Sequence, residues 1–196
     1  MKRERIIVLI AALILGLIYV FPIWQIDLNA PQYPEGIGLN IWAYSVTGQK
    51  PNDLQNINGL NHYIGMKHID PEAIPELKII PPVIAALMLF GLFVAYKGNR
   101  KLLYGWLIAF GIFAVAGLID FYLWEYNYGH NLNPNAPIKV PGMTYQPPLI
   151  GSKQLLNINA VSLPGIGGIA AFVSVLLGIT AVFLSKNNKN KKKQMA

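Results

Sequence analysis

Ile6-Ile7-Val8-Leu9-Ile10-Ala11-Ala12-Leu13-Ile14-Leu15-Gly16-Leu17-Ile18-Tyr19-Val20-Phe21-Pro22-Ile23-Trp24 runs for nineteen residues without a charge. A helix rises about 1.5 Å per residue, so a run of this length reaches across roughly 30 Å of hydrocarbon. Lys2, Arg3 and Arg5 precede it, which is also how a signal peptide begins. The apolar stretch is longer than a signal-peptide core, and Phe21-Pro22-Ile23-Trp24 offers no small-residue cleavage site. The segment therefore reads as a retained anchor.

Working outward, three more stretches have the same character: about residues 79–96, 102–123 and 163–184. The chain has 196 residues, of which 54% are hydrophobic and 13% charged, and four spans account for that excess of apolar residues. Backbone groups in lipid must bond within their own segment, so each span is expected to be a helix. The expected fold is an all-α membrane protein, a single domain of four transmembrane helices. Two long loops connect them, about residues 25–78 and 124–162. Ala170, Ser174 and Gly178 recur every four residues in the last span and mark a face for close helix packing, against this chain or another.

Charge sets the expected orientation. Of sixteen Lys and Arg, three lie at the N-terminus, three in the hairpin Lys97-Gly98-Asn99-Arg100-Lys101, and five in the tail 186–196. The two long loops hold the other five, Lys50, Lys67, Lys78, Lys139 and Lys153. The positive-inside rule then places both termini in the cytoplasm of a bacterium, the chain in its inner membrane and the long loops outside. The net charge of +7 is thus a topology signal. The tail is Asn-rich and has no aromatic residue between its lysines, so it suits anionic lipid headgroups and not nucleic acid. Tyr19, Phe21 and Trp24, and Tyr122, Trp124, Tyr126 and Tyr128, are expected to mark the outer interface, with Glu125 beside it, and Tyr96, Tyr104 and Trp106 the headgroup level beside the 97–101 hairpin.

The loops are too long to be simple connectors. Asp70-Pro71-Glu72 has the form of a helix start leading towards the second span, with Pro75 and Pro81-Pro82 expected to bend or interrupt it. Leu54-Gln55-Asn56-Ile57-Asn58 is echoed by Leu155-Leu156-Asn157-Ile158-Asn159. Five residues fit chance turn chemistry as well as they fit two related hairpins.

There is no cysteine, which excludes thiol catalysis, thiolate metal sites and disulfides, and there is no lipobox. All three histidines lie in the long loops: His62, His68 and His130. Met66 and Met143 are there too. Imidazole and thioether together suit copper, Cu(I) above all, because thioether sulfur is soft. His62 and Met66 are four apart and would share a helix face, although Gly65 argues against a helix at that point. The alternative is that these side chains only pack. Asp120 is the one acid within an apolar run, near the outer end of the third span. It could bond helix to helix, support a ligand set, or simply reach headgroup water. A bis-histidine haem inside the bundle, a phosphate loop at Gly165, Gly167 and Gly168, and a hydrolase triad all fail for want of the required residues or context. The chain is not expected to be an enzyme.

Three strings carry a resemblance: Ala30-Pro31-Gln32-Tyr33-Pro34-Glu35-Gly36, Asp53-Leu54-Gln55-Asn56-Ile57-Asn58-Gly59-Leu60-Asn61-His62-Tyr63-Ile64-Gly65-Met66, and Pro141-Gly142-Met143-Thr144-Tyr145-Gln146-Pro147-Pro148-Leu149-Ile150-Gly151. From about residue 22 to 165 the chain resembles small bacterial membrane proteins encoded beside nitrous oxide reductase maturation genes, notably in Bacteroidota-type clusters. The resemblance implies an accessory role in maturing an extracytoplasmic copper enzyme. The partners it implies are that reductase or the copper-delivery and transport proteins encoded with it. It carries over no residue roles. Two expectations follow: copper handling through His62, Met66, His130 and Met143, with His68 as a further group, or a non-catalytic anchor that docks a periplasmic partner.

Overall fold

The computed structural model describes residues 2–194, with side chains to Ser185. Among the described residues, three helices are long and apolar enough to cross a membrane: α3 (Glu76–Lys97), α4 (Arg100–His130) and α5, apolar over Ile166–Ser185 of its full extent Ile166–Gln194. The first apolar segment is helical as α1 (Arg3–Ile14) and tightens into a 3₁₀ turn (Leu15–Tyr19). It stops short of the expected Trp24 because Pro22 cannot continue a helix. The basic tail 186–196 falls on side chains outside the described residues.

The bundle core is tightly packed. Trp106 is fully buried and donates its indole N–H to the Leu87 carbonyl at 2.8 Å. Ser174 is also fully buried and donates to the Ala11 carbonyl at 2.8 Å. A Cβ on Gly178 would come within 2.8 Å of the Trp106 ring. The small-residue stripe on α5 thus packs against α1 and α4 of the same chain. Outside this core the helices expose large apolar side chains such as Leu89, Ile112 and Phe172, as lipid-facing helices do. The Arg5 Nε donates to the Ala95 carbonyl, and the Arg100 Nε donates to Ser185. The N-terminus, the 97–101 hairpin and residue 185 therefore share one end of the bundle.

The opposite end corrects the all-α expectation. Residues 24–48 and 151–164 form a five-stranded antiparallel sheet: β1 (Trp24–Ala30), β2 (Tyr33–Ile41), β3 (Val46–Gly48), β4 (Gly151–Leu155) and β5 (Ile158–Pro164), in spatial order β3-β2-β1-β5-β4. Trp24, Ile26 and Ala30 are buried at alternate positions of β1, and Ala160 and Ser162 answer them on β5. The register pairs Ile26 with Ser162 and Leu28 with Ala160. Both long loops thus enter one sheet, and they converge. α2 (Asp53–Ile64) packs on that sheet, held by Asp53, whose buried carboxylate accepts from the Gly38 and Lys50 N–H groups at 3.0 and 3.1 Å.

Other expectations are adjusted. Trp24 and Leu163 belong to strands and not to spans, and α4 continues past 123 to His130. Asp70 does cap a helix start, accepting from the Glu72 N–H, but only for one 3₁₀ turn (Pro71–Ala73). Pro75 then opens a separate helix, α3, which contains Pro81 and Pro82. The five-residue echo has no structural counterpart, since 54–58 lies in α2 and 155–159 in the β4–β5 hairpin. Trp24 and Trp124 face a shared core more than an interface: the Trp24 ring lies 5.3 Å from Phe121, and Trp124 lies 4.3 Å from Tyr128.

Candidate functional site: a cavity beneath the sheet

α4 has 31 residues and is about 46 Å long, well beyond the roughly 30 Å of a hydrocarbon core. Its last turns, from Phe121 on, pack against the sheet. The sheet has open edges at β3 and β4, and open edges do not occur in lipid. In any bilayer that α4 crosses, the end of α4 that touches the sheet would therefore stand outside the hydrocarbon.

Phe121, Trp124, Glu125 and Tyr128 follow helical spacing on one face of this end. Glu125 has no exposed surface, and neither carboxyl oxygen has a hydrogen-bond partner among the described residues. Burial pushes its carboxyl up to about 8, because an unpaired carboxylate loses its hydration. Glu125 lines a cavity of about 290 Å³ between the sheet, α2, the end of α4 and the segment 131–150. Tyr145 lines the same cavity, is 5% exposed, and its hydroxyl is likewise unpartnered. The rest of the wall is mainly aliphatic. At the rim, Asn157 Nδ2 donates to Gln32 Oε1 at 3.3 Å and ties the two hairpin turns together.

The segment 131–150 closes the cavity through backbone bonds. Asn133 N–H donates to the Gly65 carbonyl at 2.8 Å, Ile138 to Tyr63 at 2.9 Å, and Tyr145 to Gly129 at 2.9 Å. Two glycines allow this approach. Gly65 ends α2 at φ +83°, and a Cβ there would press on the Asn133 backbone. A Cβ on Gly129 would collide with the Gln146 backbone.

The residues expected to carry chemistry are placed as follows. His62 is exposed on α2, edge-on to Tyr63. Met66 lies past the end of α2 and lines the cavity, so Gly65 prevents the shared helix face. His130 stacks on Tyr126 at 3.9 Å, and its Nδ1 lies 3.0 Å from the Tyr126 carbonyl. A carbonyl only accepts, so Nδ1 carries a proton, which in the neutral ring leaves the lone pair on Nε2. His68 Nε2 lies 3.3 Å from Asn58 Nδ2, a donor, so its lone pair is already engaged. Met143 is half-buried in the 131–150 segment. Among the described residues no hydrogen bond or ring contact joins any two of these five, and no three His, Asp or Glu side chains gather as a metal group. By donor type alone, imidazole at His62 and His130 and thioether at Met66 and Met143 would suit Cu(I). Asp120 is exposed on α4 and enters no hydrogen bond among the described residues.

Glu125 and Tyr145 were not singled out from the sequence. The readable signal was the 121–124–125–128 spacing, which puts the carboxyl on the same stripe as three aromatic rings. No family model matches the chain, and no curated protein matches it.

Proposed function

We propose that the chain is a non-catalytic accessory protein of the bacterial inner membrane, taking part in the maturation of an extracytoplasmic copper enzyme of the nitrous oxide reductase kind. On this reading four helices cross the bilayer, both termini are cytoplasmic, and the sheet-bearing end stands outside as one module. α1 with its 3₁₀ turn is about 28 Å long, close to a hydrocarbon thickness. The basic segments at one end of the bundle support the orientation. The resemblance of the loop strings supplies the copper context.

The observation that carries the reading is the docking of the second loop onto the end of α2. Backbone bonds at Tyr63–Ile138 and Gly65–Asn133 tie the segment 131–150 to the end of α2, beside His62 and Met66, and the Gly129–Tyr145 bond ties it to the end of α4, one residue from His130 and two from Met143. A Cu(I) competition titration of the purified protein, beside a His62→Ala/Met143→Ala double variant, tests it. Tight binding lost in the double variant supports copper handling. Equal, weak binding in both refutes it.

The second reading is a scaffold that docks a periplasmic partner. It is favoured by Tyr44, Ile138 and Ile150, large apolar side chains 49% to 62% exposed on the module. Capture of the reductase or of its delivery proteins, unchanged by those two substitutions, would favour it over copper transfer.

A further inference from the structure

The cavity beneath the sheet calls for an occupant of its own. Its volume of about 290 Å³ lies at the lower end of small-molecule pockets, which run from about 300 to 1,000 Å³. That suits a compact ring system better than a long acyl chain. Ile26, Leu39, Ile57, Leu60 and Trp124 form an apolar wall, and among the described residues no Lys, Arg or His lines it. An anion would find no counter-charge there. Against this wall stand two buried polar side chains with unsatisfied atoms, the Glu125 carboxyl and the Tyr145 hydroxyl. A polar group left unpaired in such a place is destabilising, so a ligand that pairs both gains what the empty fold lacks. Natural binding pockets combine an apolar body with a few placed polar groups in this way.

We propose that this cavity binds a neutral, lipid-soluble molecule bearing a carbonyl group, its ring body against the aliphatic wall and its carbonyl oxygen accepting hydrogen bonds from Glu125 and Tyr145. With its carboxyl pushed up to about 8, Glu125 is protonated at neutral pH and donates. A phenol donates as well, so the complementary group is an acceptor. The site lies where α4 leaves the hydrocarbon, within reach of a molecule dissolved in the bilayer. The proposal does not rest on the copper reading, and a failed copper titration leaves it standing.

The test uses the full chain in lipid nanodiscs, with empty nanodiscs as blank. The probes are 2-methyl-1,4-naphthoquinone and 2-methylnaphthalene, which share a ring body and differ in their carbonyls. The quinone should bind saturably, one per chain, and at least about tenfold more tightly than the hydrocarbon, the worth of one good hydrogen bond. Tyr145→Phe and Glu125→Met should each weaken quinone binding about tenfold and leave the hydrocarbon unchanged. The infrared carbonyl stretch of the protonated carboxyl, absent in Glu125→Met, should fall in frequency when the quinone binds and stay in place with the hydrocarbon. Should Glu125→Met not fold, Tyr145→Phe and the wild-type infrared band still decide the matter. Equal affinity for both probes, no saturable binding beyond the blank, or tighter binding of benzyltrimethylammonium than of the quinone would each overturn the proposal.

Discussion

The Trp24 indole N–H donates to the Ser162 hydroxyl at 2.8 Å, across 138 residues of chain and inside a buried core. Ser162 in turn donates to the Leu149 carbonyl at 3.1 Å. One small side chain therefore ties the strand that follows the first helix to the strand that precedes the last, and both to the cavity-closing segment. Ser162→Ala would strand a buried donor and an acceptor together, a cost of about 1–3 kcal/mol. Thermal unfolding in detergent should show it. In a double-mutant cycle with Trp24→Phe the loss in the double variant should fall short of the sum of the two single losses, because both remove the same bond.

Glu125 gives stability a pH dependence. Its carboxyl titrates at about 8 in the fold and at about 4.5 in the unfolded chain. Between those values the folded state holds a proton that the unfolded state has released, so stability is full below about 4.5 and falls as pH rises to about 8. Glu125→Gln should flatten that window, so that its stability relative to the parent rises steadily from about pH 4.5 to about pH 8. Melting curves of the two proteins across this range check it. Parallel curves would count against a neutral buried carboxyl.

Gly129→Ala should unseat the 131–150 segment, because the added methyl has no room against the Gln146 backbone. Overpacking of this kind costs about 1–3 kcal/mol or more. Limited proteolysis should cut the variant within 131–150 faster than the parent, while cleavage elsewhere stays unchanged.

Asn58 clamps Ile69 with two bonds: its Oδ1 accepts from the Ile69 N–H at 2.7 Å and its Nδ2 donates to the Ile69 carbonyl at 3.1 Å. Asn58→Leu fills the space without those bonds. Amide exchange at Ile69 should accelerate by one to two orders of magnitude, consistent with about 1–3 kcal/mol of lost local stability.

The helices were legible in the sequence because apolar residues on every face leave no rival interpretation. Their ends were not. Trp24-Gln25-Ile26-Asp27-Leu28 alternates as a strand should, yet Ile23 and Trp24 also extend an apolar run, and length outweighed period there. β5 is harder still, since its inward positions are Ala160 and Ser162, small or polar residues that carry no hydrophobic alternation. Its burial comes from pairing with β1, a contact far along the chain. The candidate site was partly visible. The histidines and methionines could be named by type, but the backbone bonds that fix their neighbours involve Gly65, Gly129 and Tyr63, which no donor pattern marks. Glu125 looked like an interfacial acid because its depth along α4 was readable and the sheet above it was not.

Both loops build one five-stranded module, and the proposed topology puts that module on the outer face of the membrane. The absence of native cysteine makes it testable in a single experiment. β1 and β5 pair Asn29 with Asn159 and Gln25 with Leu163. Asn29→Cys/Asn159→Cys and Gln25→Cys/Leu163→Cys would bring two thiols to bonding distance in a compartment where disulfides form and persist. In cells, at least one pair should form an intrachain disulfide, seen as a reductant-sensitive shift in gel mobility and absent from each single variant. Free thiols in both pairs, with the protein folded in the membrane, would contradict it.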